Sequence, residues 1–282
     1  MLLAIRHSTV YAYDPPAERC ALRLKLYPSA FASQRVKSWS VSVNGQEIPA
    51  LLTTGFGDRE AIWSSLQPAG QVEIVAAGEV ETDDAAGFVR GLKDASRPTV
   101  FLRETPLTAA DAKIVELAKG VSGASVLEKM HALCGAVRDA IDYTPGATET
   151  RTTAAQALKQ GSGVCQDHAH VFIAAARAID VPARYVVGYL MASDAPQTET
   201  HAWAEAHVPE LGWIGFDAAN RLCPTDRYVR LASGLDSADA APIRGNVSGQ
   251  GSERLEASVA IGPSQVQGGQ SQGSQAQGQH QQ

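Results

Sequence analysis

The sequence has few cysteines, no long hydrophobic run and no cluster of positive charge. Its four cysteines, at positions 20, 134, 165 and 223, are far apart, so no close pair suggests a zinc knuckle or a disulfide framework. No stretch of about 18 apolar residues is present, so we expect no membrane-spanning helix. The opening apolar run is too short for a signal peptide.

These absences predict a cytoplasmic protein with free thiols and without membrane partners, since a reducing compartment keeps a cysteine reactive. A net charge of −6 without a Lys/Arg cluster argues against a nucleic-acid partner. Hydrophobic residues make up 44% of the chain, which is typical of a globular protein with a real core, and 282 residues suffice for two domains. No sequence feature indicates an oligomeric state.

Residues 1–85 predict an antiparallel, β-sandwich-like domain. In "CALRLKLYP", every second residue is apolar while Arg23 and Lys25 take the other face. "SWSVSVNGQEI" alternates in the same way and ends in Asn-Gly, a strong hairpin signal. We interpret residues 86–105 as a linker.

From residue 106 the apolar residues recur at the spacing of a helix. Helices that follow a region of strands indicate an α+β chain. Met130, Leu133, Cys134 and Val137 follow the spacing of a buried helical stripe. We assign 106–262 to a second domain that ends in a C-terminal extension. Residues 263–282 are Gln, Gly and Ser with almost nothing apolar, so we expect a disordered tail.

The stretch "GSGVCQDHAH" places Cys165 directly before a helical pattern. A helix N-terminus lowers the pKa of a thiol, and its unpaired N–H groups suit a developing oxyanion. His201 opens a predicted strand and Asp217 ends the next one, so an antiparallel pairing makes the two residues neighbours. Together the three side chains predict a Cys–His–Asp relay.

A metal site is the alternative interpretation of Cys165. On a helix Cys165 and His168 share a face, but His170 points away and the usual second cysteine pair is missing. The sequence therefore favours a nucleophile, with no metal and no cofactor.

The segments "GSGVCQDHAH…VPARYVVGY" and "THAWAEAHVPELGWIGFDAAN" resemble the transglutaminase-like superfamily, and the N-terminal "HSTVYAYDPP" resembles the β-domain of its bacterial members. The resemblance implies a papain-like transglutaminase core with Cys165, His201 and Asp217 as catalytic residues, without a calcium site. It also implies a second oxyanion donor before the cysteine helix, which makes Tyr143 a candidate; an ordinary core or surface tyrosine is the alternative.

Two further residues are candidates for a supporting role. Gln166 follows the cysteine, and Trp203 shares a strand face with His201, where it either packs against the relay or forms a substrate wall. One departure from the family is visible: Ala218-Ala219 stand where Pro-Thr is usual, so we expect a more mobile loop after Asp217.

The predicted activity is cysteine-dependent hydrolysis of amide or peptide bonds through an acyl-enzyme thioester, with a protein or peptide substrate. The alternatives are transglutaminase-type acyl transfer to an amine and a non-catalytic binding module on the same fold.

Overall fold

The computed structural model describes residues 1–191, 200–249 and 252–264. Alternation of apolar and polar residues produces the early strands; in "RCALRL", for example, every second side chain is buried. The strands of this part are β1 (Leu2–Ala17), β2 (Arg19–Leu24), β3 (Gln34–Val43), β4 (Gln46–Glu47), β5 (Leu52–Thr53), β6 (Arg59–Ser65), β7 (Ala69–Thr82) and β8 (Phe88–Val89).

Helices begin after a 3₁₀ turn at Pro98–Leu102. Asp111, Ser125 and Thr153 start three of them, each accepting a hydrogen bond from an N–H of the first turn. None of the helices in the described ranges has the length and apolarity needed to cross a bilayer. The elements are α1 (Ala112–Gly120), α2 (Val126–Ala140), β9 (Asp142–Tyr143), α3 (Ala154–Gln160), β10 (Ser162–Gly163), α4 (Cys165–Arg177), β11 (Ala183–Leu190), β12 (His201–Val208), β13 (Gly212–Phe216), β14 (Tyr228–Gly234), α5 (Ser237–Ala240), β15 (Ile243–Ser248) and β16 (Ser252–Pro263).

Two antiparallel sheets pack face to face to form the predicted β-sandwich. One sheet has the order β16-β1-β7-β3-β4 and the other β15-β2-β6-β5. Their inner faces share one apolar core, in which Leu22 and Leu24 of β2 meet Val72 and Ile74 of β7. The structure thus confirms the sandwich-like architecture of the N-terminal region.

The second half is a mixed core in which α4 packs against the sheet β14-β11-β12-β13-β8. Nearly every side chain of α4 is buried, and Phe172 and Ile173 lie at the centre of the apolar cluster. This confirms the α+β class. Because its first turn lies at the edge of that packing, the helix carries Cys165 to a fixed position beside the sheet.

The last two strands return to the sandwich. β16 pairs with β1 from Leu3↔Pro263 to Asp14↔Ser252, and β15 pairs with β2. The predicted core boundary at residue 262 stays a prediction. The pairing adds that β15 and β16 complete the two sheets that β1 and β2 begin. Of the predicted tail 263–282, residues 265–282 lie outside the described residues.

A buried ionic network joins the core sheet to the sandwich. Glu205 on β12 accepts hydrogen bonds from Arg184 Nε at 2.6 Å and Arg230 Nε at 2.9 Å. Arg230 also donates to Ser29 of the sandwich side through Nη1. Burial alone raises the pKa of Glu205, but the two guanidinium groups outweigh it and hold that pKa below its usual value. The network stabilises the fold only while all its charges are matched.

We expect Glu205→Gln to destabilise the protein by about 3–5 kcal/mol, because two buried guanidinium groups lose their shared counter-charge. Urea unfolding followed by circular dichroism measures this. The control is Glu256→Gln, whose exposed pairing with Arg254 should be worth about 0–1 kcal/mol. Equal losses in the two variants would contradict a structural role for the network.

Candidate active site

The start of α4 is built to present Cys165. Asp167 Oδ2 accepts hydrogen bonds from the Val164 N–H at 2.8 Å and the Thr148 hydroxyl at 2.6 Å, which caps the helix and anchors the preceding loop. A Cβ at position 163 would lie 2.6 Å from the same carboxylate oxygen, so only glycine fits before the cap. Asp167 lies in the first turn of the helix, where a carboxylate also suits the helix dipole.

Cys165 is the first residue of this helix, and its side chain is partly exposed. The N–H groups of Cys165 and Gln166 lie in the first turn, where a helix supplies no acceptor, so they suit a carbonyl oxygen that gains charge. Burial, as the main cause, raises the pKa of Cys134 to about 12 and of Cys223 to about 11.

The antiparallel pairing of β12 and β13 brings His201 and Asp217 together. The two residues are 16 positions apart and lie on opposite strands of one hairpin. Its register pairs Ala204 with Phe216, which brings the start of β12 next to the end of β13. His201 Nε2 lies 2.6 Å from Asp217 Oδ2, and both side chains are buried. With Nε2 engaged, the remaining ring nitrogen, Nδ1, is the one available for the hydrogen bond between His201 and Cys165.

The environment favours the protonated form of His201. Burial is the largest influence and by itself lowers the pKa, but hydrogen bonds and charge attraction from Asp217 and Cys165 outweigh it and raise the pKa to about 10. His7 and His170 show the opposite case, since burial without such pairing lowers the pKa of each to about 4. The site thus holds an imidazolium next to a cysteine.

Asp217 is held as a carboxylate by several donors. Burial raises its pKa, but the hydrogen bond and charge of His201, with hydrogen bonds from Asn220 and Tyr228, reverse the direction and lower it. Asn220 Nδ2 and the Tyr228 hydroxyl each lie 2.8 Å from Oδ2. Asn220 also donates its backbone N–H to Oδ1, which closes the turn through Ala218-Ala219.

Two aromatic rings enclose the imidazole. Trp203 stacks on His201 with ring centroids 6.3 Å apart, and the Tyr228 ring meets both edge-on. Trp203 therefore packs against the relay, one of the two roles considered from the sequence. Tyr228 was missed: it starts β14, whose place beside β11 follows from sheet order and not from any local motif.

The remaining candidates are placed as follows. Gln166 lines the cleft beside Cys165, and its side-chain amide donates to the carbonyl of Thr150. Tyr143 is about half exposed, packs its ring against His168 and is not among the described residues that line the cleft; its role as an oxyanion donor stays a prediction. His168 is buried, with its two nitrogens near the carbonyls of Val164 and Ile141, and therefore ties α4 to the end of α2.

Cys165 and His201 open onto a cleft of about 460 Å³ between the core and the sandwich. Within residues 1–191, 200–249 and 252–264, no group of three His, Cys, Asp or Glu side chains is arranged to hold a metal ion. Both walls carry apolar or aromatic side chains, among them Tyr11, Tyr185, Val187, Leu255, Ala257 and Val259.

Two family models match the chain. Residues 115–218 match the transglutaminase-like superfamily, and residues 3–81 match the bacterial transglutaminase-like N-terminal region. The first match contains Cys165, His201 and Asp217, and the second covers most of the sandwich strands that precede the core.

Individual relatives agree with these matches. The chain is 27% identical over 283 residues to an uncharacterised protein of Mycobacterium leprae strain TN, covering 92% of this chain and 98% of that protein. It is 33% identical over 85 residues to a protein-glutamine gamma-glutamyltransferase of Pseudomonas aeruginosa, covering 27% of this chain and 12% of that protein. A crystal structure of a candidate cysteine protease from Cytophaga hutchinsonii superimposes with a TM-score of 0.72 at 24% identity, covering 94% of this chain and 92% of that chain, and thus shares the fold.

We expect Asp217→Asn to lower the pKa of His201 from about 10 toward its ordinary 6.5, because the carboxylate that stabilises the imidazolium is lost while burial remains. An NMR titration of the imidazole nitrogens measures the change. His7 and His170 are internal controls, since both should stay neutral above pH 5 in either protein. An unaltered His201 titration would show that Asp217 does not set its charge.

Proposed function

Because this chain is a member of the transglutaminase-like superfamily, we propose that it is a cysteine-dependent hydrolase of amide or peptide bonds that works through an acyl-enzyme thioester. The observation that carries the proposal is the pairing of buried His201 with Asp217 on one side and Cys165 on the other. The position of that cysteine at a helix N-terminus on an open cleft adds support.

In the acylation step, the Cys165 thiolate attacks the carbonyl carbon of the substrate, and the oxygen takes up the electron pair. Backbone N–H groups at the start of α4 stabilise this oxyanion. The carbon–nitrogen bond then breaks, and His201 gives its proton to the departing amine. Asp217 keeps the ring oriented and balances its positive charge.

In the deacylation step, neutral His201 removes a proton from water, whose oxygen attacks the thioester carbon. The carbon–sulfur bond breaks, the acid leaves, and thiolate and imidazolium are restored. The breadth of the cleft gives water access to the thioester, which favours hydrolysis. The proposed substrate is a protein or peptide, of which the part around the reacting carbonyl would occupy the cleft.

Acyl transfer to an amine is the second candidate. It is favoured by the match to a protein-glutamine gamma-glutamyltransferase over 85 residues. The acylation step is the same in both reactions; they differ only in whether water or an amine attacks the thioester.

We expect iodoacetamide at pH 7 to alkylate Cys165 at least about 100-fold faster than Cys134 or Cys223, whose raised pKa values keep them protonated. His201→Ala should remove most of this advantage, because the imidazolium no longer stabilises the thiolate. Peptide mass spectrometry over time follows each site. Slow, equal labelling of all the cysteines would instead support a binding module without catalysis.

The fate of the acyl group can be followed with casein as the substrate, with and without dansylcadaverine. The proposal predicts new carboxyl groups, found as new chain ends or as glutamate from glutamine, whether or not the amine is present. Cys165→Ala should form none while keeping its circular dichroism spectrum. Dansyl incorporation without hydrolysis would show that the chain is a transferase.

A further inference from the structure

One wall of the cleft contributes no residue to the acylation and deacylation steps. Facing Cys165 and His201 are alternate residues of two sandwich strands, His7, Thr9 and Tyr11 of β1 and a matching set on β16. The set on β16 is Leu255, Ala257 and Val259. Since β1 and β16 are paired along their length, these side chains form one continuous surface opposite the thiol.

This wall is uncharged. None of the described residues lining the cleft is Lys, Arg, Asp or Glu, and the ionic pair of β16, Arg254 with Glu256, lies at the alternate positions of the strand. Glu253 shares the face of Leu255 but lies beyond the cleft lining, where it pairs with Tyr13 of β1. His7 adds no charge at neutral pH, because burial lowers its pKa to about 4. Its ring is held between the hydroxyls of Tyr189 and Thr9.

The wall also leaves apolar surface open to solvent at the reactive site. Leu255 is 54% exposed, although it lines the cleft. Covering such surface with an apolar group is favourable, whereas a charged group placed there would lose water and find no counter-charge among the wall residues that line the cleft. Both effects favour binding of an apolar acyl donor over a charged one next to Cys165.

We propose that the acyl donor carries an uncharged, apolar side chain flanking the reacting carbonyl, and that this side chain packs against Leu255 and Ala257 of β16. The inference rests on the proposed function, since it takes Cys165 as the nucleophile. The sandwich then selects the substrate, and the core carries out the chemistry. The pairing of β16 with β1 forms the wall of the sandwich that faces the catalytic residues of the core.

Two chloroacetamides test this selection without a known substrate. N-benzyl-chloroacetamide carries an apolar group, and N-(2-aminoethyl)chloroacetamide carries a positive charge; both alkylate a thiolate with loss of chloride. The rate at Cys165 is measured by mass spectrometry and divided by the rate of the same reagent with glutathione, which removes intrinsic reactivity. The proposal predicts a normalised preference of about ten-fold or more for the benzyl reagent, of the order expected for burying one apolar group.

Leu255→Glu should reverse the preference, because the benzyl group loses its contact and the ammonium gains a counter-charge. Leu255→Ser should reduce the preference without favouring the cation, and it replaces the first variant if the glutamate impairs folding. Ser258→Glu adds the same charge at an alternate position of β16, outside the cleft lining, so it should keep the wild-type preference.

The outcomes distinguish failure of the proposed function from failure of the inferred substrate class. If iodoacetamide does not label Cys165 selectively in the wild-type protein, the proposed function fails. If that labelling is fast but both chloroacetamides react at equal normalised rates, only the inferred substrate class is wrong. A reversal by Ser258→Glu as large as that by Leu255→Glu would also overturn it, since the effect would then be a general one of charge.

Discussion

The hydrogen bond between His201 and Asp217 is the interaction on which the site depends. A carboxylate and an imidazolium are both costly to bury, and each is tolerated here because the other stands 2.6 Å away. Tyr228 and the side-chain amide of Asn220 donate further hydrogen bonds to the same carboxylate oxygen, so the carboxylate stays ionised and fixed. The imidazole is thereby held with its other ring nitrogen available to Cys165. The site then requires only that α4 place Cys165 next to that nitrogen.

The rest of the fold satisfies that requirement by fixing one helix against one sheet. α4 is buried along nearly its whole length, and its first turn is capped by Asp167. The network of Arg184, Glu205 and Arg230 ties the strands beside the site to each other and to the sandwich. β15 and β16 complete the sandwich, and β1 and β16 together supply one wall of the cleft.

Much of this could be predicted from local patterns. Alternation gave the sandwich strands, helical spacing gave the core, and the 16-residue spacing of His201 and Asp217 correctly made them neighbours across a hairpin. What local patterns do not contain is pairing at long range. The sequence indicates a C-terminal extension but not that its strand β16 pairs with β1, and nothing near Tyr228 shows that its hydroxyl reaches Asp217. The uncharged cleft wall and the hydrogen bond from Tyr228 to Asp217 arise from such pairings.

The central claim is that Cys165 becomes acylated because His201 and Asp217 keep it reactive. Reaction with p-nitrophenyl acetate, quenched in acid and followed by peptide mass spectrometry, tests this most directly. The account predicts a rapid burst of p-nitrophenolate with an acetyl group on the peptide containing Cys165, released by hydroxylamine and absent from Cys165→Ala. An equal burst in Cys165→Ala, or an acetyl group on other residues only, would contradict it.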